Sequence, residues 1–274
     1  MAQIELVVTD LDGTLWGADE VIHVRTLAAL RTLQERAVPL LVATGRRPRS
    51  ASVALARSGL TPPSVFLDGA LGRHLQDERV FHQATFEPAD ALATLAAYRS
   101  QGLDPCVYVD RADADVVVGR TPGTHPGHIA SIGQWLATDD LDVVCANEPI
   151  LGFGVVGRDA VVLRRIAAAL AGSPRRPAEA ALTLDPWFGG ATLMARPHGI
   201  SKWDGVAAYC AEQGLDPAWV LAVGDGENDV ELLTGARVAC VVSNGCDAAL
   251  ALADHVIEPP DAAGWCTVLD LVGA

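Results

Sequence analysis

Asp10-Leu11-Asp12-Gly13-Thr14 sets two carboxylates, a glycine and a hydroxyl side by side, directly after the apolar run Ile4 to Val8. Two carboxylates held a few ångströms apart in a pocket cannot both stay ionised cheaply, so either one carries a proton or a cation compensates them. Both outcomes serve an enzyme. The same residues would also make an ordinary solvated turn, since Asp, Gly and Thr are common turn formers. A second acidic turn, Gly224-Asp225-Gly226-Glu227-Asn228-Asp229, follows the apolar run Val220 to Val223. Asp10/Asp12 and Asp225/Asp229 together offer oxygen ligands of the kind Mg²⁺ takes. Thr44-Gly45 opens a helix, where a hydroxyl and free backbone N–H groups meet an anion. Of the 20 basic residues, Lys202 is the only lysine. It marks a place where a compact ammonium serves and the planar fork of Arg would not. Carboxylates, metal, helix N-terminus and ammonium together describe phosphoryl transfer, in which charge is held in place during an in-line displacement.

Spacing removes several rivals. An EF-hand loop starting at Asp10 would need Gly and Glu where Leu15 and Val21 stand, and one starting at Asp225 meets Val230 and Ala236. There is no Gly-Lys for a Walker loop. A dinucleotide fingerprint begun at Gly224 has Asp229 in place of its third glycine, and its acids would face a pyrophosphate.

The formal net charge of −14 argues against a nucleic-acid partner. A small phosphate ligand remains compatible, because Arg, Lys and a metal can reverse the field locally within a Debye length of about 8 Å. No apolar stretch approaches the ~18 residues of a membrane span, and Met1-Ala2-Gln3-Ile4-Glu5 lacks the basic start and long apolar stretch of a signal peptide. A soluble, cytoplasmic protein is expected, monomer or homodimer, without membrane or nucleic-acid partners. Cys106, Cys145, Cys210, Cys240, Cys246 and Cys266 form no Cys-x-x-Cys pair, so free thiols are expected.

These turns need strands and helices to present them. Ile4 to Val8, Pro39 to Ala43 and Val65 to Leu67 read as short buried strands, and Val24 to Arg36 and Ser50 to Ser58 as helices between them. Strand-helix alternation of this kind builds a parallel sheet, whose ligands collect at the carboxyl ends of the strands. From about residue 82 to 190 prolines punctuate shorter elements. Ala89 to Arg99 and Val161 to Leu170 read as helices there, and Cys106 to Val109, Val116 to Val118, Phe153 to Val156, Ala181 to Leu184 and Thr192 to Ala195 as strands. After Gly199 the first texture returns, with helix Lys202 to Gln213 and strands Val220 to Val223 and Val238 to Val242. The expected architecture is α/β: a parallel-sheet core from both chain ends, 1–82 and 191–274, with an α+β domain inserted at 83–190.

Taken in order, Asp10-Leu11-Asp12-Gly13-Thr14, Thr44-Gly45-Arg46, Lys202 and Gly224 to Asp229 resemble the four motifs of the haloacid dehalogenase-like superfamily. The chain is similar in particular to its Cof-type phosphatases, which have a Rossmann-like core and a large α/β cap inserted after the third core strand. The resemblance implies Asp10 as nucleophile, forming an aspartyl-phosphate, and Asp12 as the acid that protonates the leaving oxygen and the base that activates water. It implies Mg²⁺ held by Asp10, the main-chain carbonyl of Asp12 and Asp225, and phosphate met by Leu11, Thr44, Gly45, Arg46, Lys202 and Asn228, with Thr44 and Lys202 also in the catalytic set. Asp229 would orient Lys202 or the metal's waters. The implied activity is Mg²⁺-dependent hydrolysis of small phosphorylated metabolites, sugar phosphates first. Alternatives are a phosphomutase, a phosphatase of nucleotide-like cofactors (FMN- or PLP-like), or a non-catalytic phosphometabolite-binding regulator. One departure stands out: Asp68-Gly69-Ala70, where family members often show Asn-Gly-Ala. Asp68 would be a plain turn residue or a contact for a substrate hydroxyl. His198, His125, His128, Trp187 and Phe188 also admit either site or packing roles.

Overall fold

The computed structural model describes residues 4–185 and 187–272, so the Met1-Ala2-Gln3 start, Pro186 and the last two positions of the expected 191–274 segment lie outside the described residues. Strand and helix alternate from the start, as β1 (Leu6–Thr9), α1 (Val24–Glu35), β2 (Leu40–Ala43), α2 (Pro48–Arg57) and β3 (Ser64–Phe66), followed by the hairpin β4 (Leu71–Arg73) and β5 (Val80–Gln83). Helix α2 begins at Pro48, ahead of the Ser50 expected, because proline fits the first helical position, whose N–H needs no partner.

The middle of the chain carries α3 (Pro88–Arg99), β6 (Cys106–Tyr108), β7 (Val116–Val118), α4 (Pro126–Ile132), β8 (Leu136–Thr138), α5 (Leu141–Asn147), β9 (Gly152–Arg158), α6 (Ala160–Gly172), β10 (Ala178–Leu184) and β11 (Ala191–Pro197). Alternation returns with α7 (Lys202–Gln213), β12 (Val220–Gly224), α8 (Val230–Gly235), β13 (Val238–Val242) and β14 (His255–Ile257).

These elements form two compact units, one running to Gln83 and resuming at Ser201, the other spanning Ala84–Ile200. In the first, eight strands lie in the order β14-β13-β12-β1-β2-β3-β4-β5, parallel from β14 to β3, with β4 and β5 antiparallel. Strand β1 is central and its Leu6, Val7 and Val8 are fully buried, as a strand covered on both faces requires. Leu6, Val8, Leu41, Val220 and Ala222 share a core with Val206 and Tyr209 of α7 and Leu232 of α8. Thr9 is in register with both Val42 of β2 and Val223 of β12, so the three strands end flush.

The second unit is a six-stranded sheet in the order β10-β11-β9-β6-β7-β8, with Phe153, Val155 and Leu193 packed on Leu95 and Tyr98 of α3 and Leu163 and Ile166 of α6. Strand β11 pairs with β10 on one side and β9 on the other, so 191–197 belongs to this sheet and not, as expected, to the core segment 191–274. Once seven residues of β11 are laddered against β10, the chain can leave only after Pro197.

Among the described residues no helix is long and apolar enough to cross a membrane. The six cysteines are all free, four of them buried.

Candidate active site

The flush ends of β1, β2 and β12 place three turns beside one another. The turn after β1 closes on Leu11, whose carbonyl accepts from the N–H groups of Leu15 and Trp16 at 2.9 and 3.1 Å. Gly13 has φ +81°, and a side chain on it would collide with the Asp225 carboxylate. Glycine therefore lets the turns from the two ends of the chain meet. Thr14 Oγ1 donates to Asp225 Oδ1 at 2.6 Å and ties them together.

Lys202 opens α7 and is fully buried. Its Nζ donates to Asp10 Oδ1 at 2.8 Å and Asp229 Oδ1 at 2.7 Å. Burial opposes the ammonium charge, but Asp10, Asp229 and Asp68 outweigh it and hold the Lys202 pKa above its ordinary value. Asp229 is also fully buried, and its other oxygen accepts from the backbone N–H groups of Asp225 and Gly226 at 3.0 and 2.9 Å. Both Asp229 oxygens are thus engaged in holding the ammonium and the second acidic turn.

Asp10, Asp225 and Asp229 each bring an oxygen within 4.8 Å of the others'. Burial, then the neighbouring carboxylates against the pull of Lys202, pushes the Asp10 carboxyl well above the usual range. Asp225 is pushed up to about 6, chiefly by burial and by Asp229, against the Thr14 hydrogen bond. One ammonium does not neutralise the cluster. A hard divalent cation fits both the surplus charge and the all-oxygen donor set.

Thr44 is buried; its Oγ1 accepts from the Arg46 N–H at 3.1 Å. The Leu11 and Gly45 N–H groups, expected to meet phosphate, are used by no hydrogen bond among the described residues. Arg46, expected as a phosphate contact, is committed elsewhere. Its Nε and Nη2 donate to Asp12 Oδ2 and Oδ1 at 2.6 and 2.5 Å, and its Nη1 to Glu20 Oε1 at 2.6 Å. The pull of these two carboxylates outweighs burial and holds its charge. Asn228, also expected at phosphate, donates through Nδ2 to Asp68 Oδ1 at 2.8 Å. Asp68 itself is buried with φ +53°, and its oxygens lie where a side chain on Gly45 would press on them.

Trp16, Glu20 and the tie from Thr14 to Asp225 carry no role in the sequence reading. Trp16 is fully buried and its Nε1 donates to Asp12 Oδ1 at 3.0 Å. No motif marks these residues; an acid eight positions beyond Asp12 becomes a partner only when the loop folds back. His125, His128 and His198 lie in the other unit. His198 pairs with Glu179, and His125 caps α4 through Nδ1 and stacks on Phe188. Among the described residues neither joins a metal-binding group. Trp187 is exposed, whereas Phe188 packs against the imidazoles of His125 and His128.

Comparison with known proteins agrees with this architecture. The profile of the haloacid dehalogenase-like hydrolases matches residues 7–121 and 187–269. A phosphoglycolate phosphatase of Methanopyrus kandleri is 26% identical over 267 residues, 96% of this chain and 95% of its own. A 5-amino-6-(5-phospho-D-ribitylamino)uracil phosphatase of Bacillus subtilis is 26% identical over 265 residues, 91% of this chain and 90% of its own. A haloacid dehalogenase-like hydrolase from Bacteroides thetaiotaomicron, solved by crystallography, shares the fold at 17% identity with a TM-score of 0.78, covering 99% of this chain and 100% of that one. The chain belongs to the haloacid dehalogenase-like hydrolase family.

Proposed function

We propose that this protein is a Mg²⁺-dependent phosphatase of small phosphorylated metabolites, with sugar phosphates the leading substrate class. The observation that carries the reading is the buried contact of Lys202 with Asp10, beside the surplus carboxylates of Asp225 and Asp229. A lone buried acid would not need a second acidic turn brought to it from the far end of the chain. Both curated relatives described above are named for hydrolysis of small phosphate monoesters, which supports the same class here.

Asp10 Oδ is the nucleophile. It attacks phosphorus as the bond to the leaving oxygen breaks, and Asp12 gives that oxygen its proton. Water then attacks the phosphorus of the aspartyl-phosphate, passes its proton to Asp12, and the Asp10 carboxylate leaves. Lys202 steadies the nucleophile and the phosphoryl oxygens, with Thr44 and the N–H groups of Leu11 and Gly45 beside it. Asp10, Asp225 and the Asp12 carbonyl would hold Mg²⁺, which would offset the carboxylates and stabilise negative charge on the phosphoryl oxygens. Asp229 orients Lys202. Six free thiols suit a reducing compartment, in keeping with the cytoplasm.

The test is phosphate release from a panel of phosphorylated metabolites with Mg²⁺, run on the parent and on D10N. Cleavage of one ester class by the parent alone is expected. Near-full hydrolysis by D10N would reject the covalent route, and no cleavage of any ester would favour a binding protein.

A further inference from the structure

We propose that Arg46 is a positioning residue for Asp12 and not a ligand for phosphate. The inference rests on the acid–base role given to Asp12 above. Every guanidinium nitrogen of Arg46 donates to a carboxylate: Nε and Nη2 grip the two Asp12 oxygens as a parallel fork, and Nη1 is held by Glu20. A two-bond fork fixes the plane of a carboxylate as well as its place, which a single ammonium cannot do.

The fork is itself braced. Glu20 reaches back with its other oxygen to Arg57 of α2 at 3.1 Å, and the Arg46 guanidinium lies 5.4 Å from the ring centre of Trp16. Trp16 Nε1 completes the set on Asp12 Oδ1 at 3.0 Å.

The bracing matters because the Asp12 side chain is 47% exposed. The acid must present the same oxygen first to the leaving group and then to water, and a carboxylate free to rotate in solvent would do so only part of the time. Trp16, Glu20 and Arg46 are two layers of support under one exposed side chain. None of the three has a donor directed at the Asp10, Lys202 and Asp225 cluster among the bonds described.

The experiment measures steady-state hydrolysis of glycerol phosphate and the Kd of inorganic phosphate, both with Mg²⁺, for the parent, R46M, R46K and E20Q, and repeats R46M in a D12N background. Unfolding midpoints in urea control for folding. A misplaced acid costs roughly ten- to a hundredfold, so kcat should fall that far in R46M, with KM and phosphate Kd within about threefold of the parent. R46K should stay near R46M because the fork is lost with charge retained, and E20Q should fall between parent and R46M. In D12N the R46M change should cost less than about twofold, since residues that act as one unit do not add.

A tenfold weaker phosphate Kd in R46M, rescue by R46K, an unchanged kcat, or losses that multiply in the double variant would each overturn the assignment. Parent-like turnover by D12N alone would instead overturn the acid–base role on which it rests. E20Q, which leaves Arg46 and Asp12 in place, keeps the proposal open to refutation should R46M fail to fold.

Discussion

Replacing Lys202 by methionine should destabilise the protein more than any surface change, by an amount that depends on pH. Methionine keeps the four-atom stem and removes the ammonium with its two hydrogen bonds. Nζ lies 2.8 Å from Asp10 and 2.7 Å from Asp229, with the lysine and Asp229 side chains at 0% exposure and Asp10 at 9%. Without the ammonium, two carboxylates face one another out of water. Removing one partner of a buried ion pair costs about 3–5 kcal/mol. Proton uptake limits the loss, because charging relief costs about 1.4 kcal/mol per pH unit between the solution pH and the carboxyl pKa. Asp10 already sits well above the usual carboxylate range. The full loss is therefore expected near pH 8 in EDTA and a smaller one near pH 5, with added Mg²⁺ restoring part of it. Urea unfolding followed by tryptophan fluorescence reads the change, since Trp16 and Trp265 are both buried in the unit that carries the site. K202R should not rescue, because the wider fork overfills a closed socket at about 1–3 kcal/mol. A K202M loss below about 1 kcal/mol at pH 8, the scale of an exposed pair, would refute the reasoning. So would a loss that grows on acidification.

The Asp225 carboxyl, raised from 3.8 to about 6, makes a metal-free protein hold more protons folded than unfolded between those values. Its contribution is complete at low pH and is lost as pH rises through about 6, so urea stability in EDTA should fall by up to about 3 kcal/mol between pH 4 and 7; D225N should flatten that slope, and a rise with pH would contradict it. Gly13→Ala should cost about 1–3 kcal/mol from its left-handed backbone alone, and because the new methyl displaces the Asp225 carboxylate, Mg²⁺ should bind more weakly by calorimetry. Unchanged Mg²⁺ affinity in that variant would place the metal elsewhere.

Much of the core was legible because buried parallel strands are short apolar runs that end in turn residues, as Val220 to Val223 and Val238 to Val242 do. The hairpin β4 and β5 was not. Leu71-Gly72-Arg73 is too short for a period, and Gly72 is glycine because Phe81 lies against its Cα. Strand β9, expected over Phe153 to Val156, runs Gly152–Arg158; its flanking Gly152 and Gly157 add nothing to a hydrophobic pattern. The motif residues announced the site by type and order. Their partners did not: Arg46 next to Thr44-Gly45 reads as an anion contact until the loop through Trp16 and Glu20 folds over it. Local spacing carries Asp10 and the oxygens proposed for a metal, whereas the contacts of Asp12 depend on tertiary closure.

The placing of β12 between β1 and β13 has a consequence for birth on the ribosome. Until residues 220–224 emerge, β1 has a neighbour only on its β2 side, and its other edge is a bare ribbon that is apolar up to Thr9. At ordinary translation speeds that edge stays open for roughly 10–40 s. Throughout that interval the nascent N-terminal half is a template for stray strand pairing, sealed only when the distal end of the polypeptide arrives.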